Sequence, residues 1–421
     1  MFYKKTEFGN GLRLITVPLK DIKTAAILIL VKTGSVYEKK RENGISHVLE
    51  HMLFKGTKKR PHTINIAREL DSVGAKFNAF TGKEFMGFYT MVNSRHLDIG
   101  LDVLSDIFLN SKLEKIELER EKKVIIEEIK MYYDTPMRHI EDLWENLLYG
   151  DQPAGWDIAG TKENVQKMNQ ESLKGYYSSQ FVASSTVIVL AGKFEKTGVP
   201  KKIGDSFSKM KIGLPRKIPK TQEKQNKPQY LLEHRKTDQT HLILGTRAYN
   251  VFHPDKYALS ILAAILGGNM SSRLFTSIRE RRGLAYYVHT LGGSHSDRGY
   301  LATSAGVEHQ KLEKTVKLIL KEYKRIIDDV TEDELNRAKE FLKGRFLIEL
   351  EGPDDYGFFV GGEEITIGEI LTPEEKCAKI DKVMLGDLKR VAKDIFRAEK
   401  LNLAVIGPHK NKNKFQKLLG F

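Results

Sequence analysis

His47, Glu50 and His51 stand in the order H-x-x-E-H inside Gly44–Phe54, a stretch whose apolar residues recur at helical spacing. At 100° per residue the three side chains project within about 100° of one another, so two imidazoles and a carboxylate leave one side of a helix together. Two histidines one turn apart can share a zinc ion, and a carboxylate between them can act as general base toward water at that ion. A catalytic zinc takes three protein ligands, so a further donor is required elsewhere.

Glu114–Tyr133 is the candidate helix for that donor, with Glu121, Glu127 and Glu128 set among apolar residues. Glu128 shares a face with Val124, Ile125, Met131 and Tyr132, the stripe expected to point inward, whereas Glu127 falls beside Lys123 and Lys130 on the expected solvent side. Glu128 is the better ligand candidate, and a surface ion pair is the expected role of Glu127. Glu121, two turns earlier on nearly the same stripe, is placed to support the site from behind a ligand.

The elements around these residues read as a mixture of strands and helices. Asn10-Gly11 is a hairpin-type turn, and Thr63–Val73 reads as a helix with a threonine cap ended by Gly74. Strands follow at Lys76–Phe80 and Phe85–Val92. Helices come next at Ser94–Leu109, Glu114–Tyr133, Met137–Leu148 and Gln170–Ser179, then a strand at Ser185–Ala191. The fold class expected is α+β, with helices packed on one face of a mixed or antiparallel sheet.

A shift of 215 positions brings the two halves of the chain into register: Ala25–Leu30 falls on Thr240–Gly245, Val165–Phe181 on Ile380–Phe396, and Thr186–Gly192 on Leu401–Gly407. The protein therefore reads as two copies of one fold. Gly213–Gln229 has three prolines, five basic residues and one acid, which is linker chemistry. The expected domains are residues 1–212, bearing the zinc motif, and residues 230–421, joined by a linker over 213–229. The same shift sets Leu262, Ala263, Ala264, Ile265 and Leu266 opposite His47–His51, and Lys343 opposite Glu128, so the second copy has no ligands for zinc.

Composition excludes several function classes. With 40% hydrophobic and 29% charged residues in 421, the chain is of ordinary globular type and long enough for two domains. The single cysteine, Cys377, excludes an intramolecular disulfide framework and multi-cysteine metal sites, and suits a reducing compartment. Thr24–Val31 is far shorter than the roughly 20 residues of a membrane span, and Met1–Lys20 lacks the pattern of a secretory signal. A cytoplasmic location without membrane contact is expected. The net charge of +14 is spread among glutamates rather than clustered with aromatics, so no nucleic-acid partner is expected.

The context of the motif, GISHVLEHMLFKGT, resembles the pitrilysin and mitochondrial processing peptidase family of zinc metallopeptidases, inverzincins named for the inverted H-x-x-E-H order. In EKKVIIEEIKM (Glu121–Met131), Glu128 matches the family's third ligand and Glu121 a further acidic residue kept near the site. GAKFNAFT (Gly74–Thr81) is similar to the edge strand with which the family binds an extended peptide by β-addition, which implies substrate contacts at Asn78, Ala79, Phe80 and Thr81. Within IRERRGLAYYV, Arg279 and Tyr286 match an Arg/Tyr pair that contacts the substrate backbone and stabilises the transition state.

The resemblance implies one zinc per chain on His47, His51 and Glu128, Glu50 as general base, Tyr286 as donor to the oxyanion and Arg279 as a positioning group. It also implies a homodimer that encloses unfolded peptides in a chamber, with each site completed in trans. The alternative is a processing subunit of a hetero-oligomeric peptidase. The long glycine-rich loop of the non-catalytic mitochondrial subunit is absent, with only Gly267-Gly268-Asn269 in that region.

Overall fold

In the computed structural model, which describes residues 2–194, 198–411, 415 and 417–419, the apolar run Thr24–Val31 is a strand whose alternate side chains enter two different cores. Ala25, Ile27, Ile29 and Val31 face one, and Ala26, Leu28 and Leu30 the other. A strand covered on both faces needs no polar alternation, which accounts for the unbroken run.

In chain order the elements begin β1 (Lys4–Glu7), β2 (Arg13–Pro18), β3 (Thr24–Val31), α1 (Ile45–Leu53), α2 (Thr63–Asp71), β4 (Lys76–Thr81) and β5 (Met86–Asn93). Next come α3 (Leu97–Asn110), α4 (Lys115–Tyr133), α5 (Pro136–Tyr149), α6 (Lys162–Lys167), α7 (Gln170–Gln180), β6 (Thr186–Gly192) and α8 (Val199–Phe207). The second half holds β7 (Gln229–His234), β8 (Thr240–Arg247), α9 (Lys256–Ala263), β9 (Ala285–Ser294) and β10 (Gly299–Val307). It ends with α10 (Leu312–Asp329), α11 (Glu332–Ile348), α12 (Pro353–Thr366), α13 (Pro373–Asp381), α14 (Leu385–Ile395) and β11 (Leu401–Gly407).

The strands form two sheets, ordered β1-β2-β6-β3-β5-β4 and β7-β11-β8-β10-β9. Each has one parallel pair, β2 with β6 and β7 with β11, and antiparallel pairing through its other strands. Leaving out β1, the two orders correspond strand for strand, and β6 and β11 begin at the 215-residue offset read from the sequence. The fold is α+β, built twice.

The domain boundaries differ from those expected. Contacts divide the chain into one unit of Met1–Lys130, Trp156–Pro219 and Glu349–Thr372, and a second of Met131–Gly155, Lys220–Ile348 and Pro373–Phe421. Neither is the continuous 1–212 or 230–421 of the sequence reading, and the 213–229 segment is divided between them, with Gln229 already paired to Asn402 in the second sheet. The reason is an exchange of helices. Each copy gathers most of its own helices on one face of its sheet, and the face left over is covered by a helix from the other half.

In the first unit that helix is α12, which sets Val360 and Ile365 against Leu28, Leu30, Val187 and Val189. A Cβ on Gly357 or Gly361 would stand 2.5 Å from Leu28 or 2.6 Å from Leu30, so glycine is what lets α12 approach the sheet. In the second unit it is α5, whose Ile140, Trp144 and Leu148 pack on Ile243, Ala302, Ala404 and Ile406. Each such fully buried side chain contributes about 1.5–3 kcal/mol.

The helix after the motif is capped one residue earlier than expected. His62 is the extended cap, Thr63 opens α2, and Gly74 at φ +64° ends the turn as predicted. No helix among the described residues is long and apolar enough to cross a membrane.

Candidate metal site

Gly44 precedes α1 at φ +98°, with its Cα side against the Ala159 carbonyl, so only glycine fits. The buried carboxylate of Glu38, 3% exposed, lies across the helix start. It accepts the Gly44 and Ser46 backbone N–H groups at 2.7 and 2.8 Å and the Asn43 side-chain amide at 3.0 Å, supplying the acceptors that the first turn of a helix lacks. Burial outweighs these donors and pushes the Glu38 carboxyl up to about 7. Ile45, Val48, Leu49 and Met52 bury the inner face of α1, which leaves His47, Glu50 and His51 on the other.

Opposite them runs α4. Leu118 and Ile125 anchor it in the core, and Glu128 is half-buried on the side facing the histidines. The stripe reasoning that singled out Glu128 needs correction, because Val124 and Met131 are 51% and 55% exposed rather than inward. Glu127 lies in solvent and pairs with Lys130 at 2.7 Å.

Glu128 Oε2 stands 3.6 Å from His47 Nε2 and 3.5 Å from His51 Nε2. Ligand atoms of the three residues all lie within 4.8 Å of one another, and they form the one such group among the described residues. Zinc bonds of about 2.0–2.2 Å at tetrahedral angles separate donor atoms by roughly 3.3–3.6 Å, so this donor set has the composition of a zinc site and Glu128 stands at its spacing from both histidines.

The two imidazoles are tuned in opposite directions. Burial, and then His51 beside it, holds His47 down to about 4, so its imidazole is neutral with a lone pair at physiological pH. Burial also lowers His51, but its hydrogen bonds to the Glu121 and Glu128 carboxylates outweigh it and lift the imidazole to about 9. Glu121, 6% exposed, takes His51 Nδ1 at 3.1 Å on one oxygen and Lys55 Nζ at 2.7 Å on the other. Burial opposes its charge, yet His51 and Lys55 keep its carboxyl below the usual range. Glu50 is turned toward β4, where the Thr81 hydroxyl donates to its Oε2 at 2.5 Å, and burial raises its pKa against that bond.

The remaining expected residues fall in two places. β4 is an edge strand paired only with β5; Asn78 is exposed and its side-chain oxygen accepts from the Ala79 N–H, while Phe80 packs on Phe85 and Phe358. In the second unit, the Arg279 guanidinium lies 5.9 Å from the ring of Tyr286, the second residue of β9, which is 71% exposed. Arg279 also lies over Phe275, at 5.0 Å. Leu262 and Leu266, at the positions corresponding to the histidines, are fully buried, and Lys343 pairs with Glu340 and Asp381. Three residues of the site escaped the sequence reading: Glu38, Lys55 and the hydroxyl role of Thr81. The i+4 step from His51 to Lys55 and the position of Thr81, two beyond Ala79 on one strand face, were the available signals for two of them.

Two family models match the chain: Insulinase (Peptidase family M16) over residues 14–162, and Peptidase M16 inactive domain over residues 167–342. The uncharacterized zinc protease YmxG of Bacillus subtilis is 35% identical over 97% of this chain and 99% of its own length. An uncharacterized zinc protease of Rickettsia felis is 33% identical over 96% of this chain and 97% of its own. Among solved structures, a protease from Helicobacter pylori covers 96% of this chain and 99% of its own at a TM-score of 0.89, with 21% identity. A peptidase M16 inactive domain structure from Pseudomonas fluorescens does so over 97% and 98% at 0.88, with 18% identity. These two show the fold. Matched by both models of one family and by relatives at 30% identity or more along nearly its whole length, the chain belongs to peptidase family M16.

Proposed function

We propose that this chain is a zinc-dependent endopeptidase that hydrolyses unfolded peptides inside a closed chamber. The observation that carries the reading is the convergence of His47, His51 and Glu128 on one point, with Glu50 on the same helix face. The names of the relatives, zinc proteases along their full length, support the choice of metal. His47, His51 and Glu128 would hold one zinc per chain. When bound, the ion supplies Lewis acidity, polarising the scissile carbonyl and lowering the pKa of water.

The chain's own residues do the rest. Glu50 accepts the proton of the attacking water and returns it to the leaving amine nitrogen, so the carboxylate ends the cycle as it began. Glu121 holds the His51 ring with Nδ1–H toward itself and Nε2 toward the metal position. Tyr286 donates its hydroxyl to the oxyanion, Arg279 orients the peptide backbone, and β4 from Asn78 to Thr81 offers an open strand edge to an extended substrate.

We assign the working form as a homodimer in which Arg279 and Tyr286 of one copy complete the zinc site of the other. Mixing a His47→Ala chain with an Arg279→Ala/Tyr286→Phe chain then restores activity, and no recovery after confirmed subunit exchange removes the trans arrangement. The direct test of the activity is incubation of the purified protein with a mixed peptide library, with and without a chelator, and mass spectrometry of the products. Cleavage that survives complete removal of metal would overturn the reading.

A further inference from the structure

We propose that Thr81 is the positioning residue for the general base, its hydroxyl fixing the Glu50 carboxylate so that Oε1 stays open to water. The inference rests on the peptidase reading above, and it gives Thr81 a role different from the substrate contact expected of the edge strand.

Strand geometry aims the side chain. Successive residues of β4 point to opposite faces. Phe77 and Ala79 pack into the core that α1 shares, and Phe80 into the core on the other face. Thr81 therefore belongs to the α1 row, and its Oγ1 reaches Glu50 Oε2 at 2.5 Å. The hydroxyl carries one proton and Oε2 receives it; Oε1 has no hydrogen-bond partner among the described residues.

The backbone that delivers this hydroxyl is held from several directions. Thr81 pairs with Met86 at the last rung of the β4–β5 ladder, and the turn that follows is closed by the Gly82 N–H donating to the Phe85 carbonyl at 2.9 Å. A second segment clamps that turn: the Ser35 and Val36 N–H groups donate to the carbonyls of Gly82 and Lys83 at 3.4 and 3.1 Å. The clamp is so close that a Cβ on Gly34 would stand 2.3 Å from the Gly82 oxygen. A β-branched side chain on such a support has little rotational freedom. Glutamate has much more, and no other side chain among the described residues hydrogen-bonds the Glu50 carboxylate, so loss of Thr81 frees the base to rotate.

The test compares Thr81→Val and Thr81→Ser with the wild-type protein for kcat, KM and zinc content, and compares crystal structures of wild type and Thr81→Val. A positioned general base contributes about 10²–10⁴ in rate, so Thr81→Val should lower kcat about 10- to 100-fold, with KM and zinc content within about two-fold of wild type. Thr81→Ser, which keeps the hydroxyl, should recover most of that loss, and the Glu50 carboxylate should be displaced in the valine variant. A rise in KM with kcat kept would make Thr81 a substrate contact and overturn the inference, as would a serine variant no better than valine. An unmoved Glu50 in the valine crystals overturns it even if the wild-type protein shows no chelator-sensitive cleavage, a result that would remove the peptidase reading alone. Should Thr81→Val fail to fold, the same comparison is made with Thr81→Ala against Thr81→Ser.

Discussion

The imidazole Nδ1 of His51 lies 3.1 Å from Oε2 of Glu121. A charged carboxylate only accepts hydrogen bonds, so Nδ1 must carry a proton, and Nε2, the nitrogen that faces Glu128, is the one left to ligate a metal. His47 has no such support, its buried Nδ1 being without a hydrogen-bond partner among the described residues. Glu121→Gln keeps the shape but loses the charge and the Lys55 pair. It should weaken zinc binding about 10- to 100-fold in a competition titration with a chromogenic chelator. An affinity equal to wild type would detach Glu121 from the site.

Glu50 contributes no atom to the three-residue donor group. Glu50→Gln should therefore bind zinc as the wild type does while losing at least about 100-fold in kcat, since the amide cannot take a proton from water. Metal analysis and peptide turnover on one preparation check both halves, and near-normal turnover would take the general-base role away from Glu50.

Two glycines of α12, one residue apart, should respond in opposite ways. A Cβ at Gly361 meets Leu30 and Val189 of the sheet at 2.6 and 3.0 Å, whereas Gly362 has nothing within 4 Å. Gly361→Val should cost about 1–3 kcal/mol by overpacking. Gly362→Ala should be neutral or stabilise by up to about 1 kcal/mol. Urea unfolding midpoints separate them, and equal midpoints would show that α12 does not need its close seat.

Glu38 should make stability depend on pH. Burial raises its carboxyl in the folded chain to about 7 from an ordinary 4.5, so between those values the folded state holds a proton that the unfolded state has released. That contribution is complete below 4.5 and is lost as pH rises through 7, a change of about 3 kcal/mol. Glu38→Gln retains one acceptor oxygen and cannot titrate. Its unfolding free energy should be flatter than that of wild type from pH 5 to 8, and parallel curves would assign the wild-type slope to other groups.

The sequence shows the site's first layer because that layer is local. His47, Glu50 and His51 share one helical turn, and one period of α-helix is enough to group them. Glu128 was selected by an argument only partly sound: Ile125 is buried as its stripe requires, but Val124 and Met131 lie in solvent. Glu38, Lys55 and Thr81 meet their partners through tertiary packing, and no period links Glu38 to Gly44 or Thr81 to Glu50. The duplication was legible because strands and helices keep their spacing through divergence. The exchange of α5 and α12 was not, because a repeat fixes the order of elements and leaves open which sheet a connecting helix covers.

That exchange constrains how the polypeptide is made. As it leaves the ribosome, the first sheet can complete the side built by α1, α3 and α4, but Ala26, Leu28 and Leu30 must wait for α12, near the end of translation. A nascent chain in that interval carries an uncovered aliphatic strip, the kind of surface that recruits holding chaperones and drives aggregation. A gene truncated after residue 212 should yield insoluble product, because a cut at the centre of the duplication leaves each fragment lacking the cover that the other encodes.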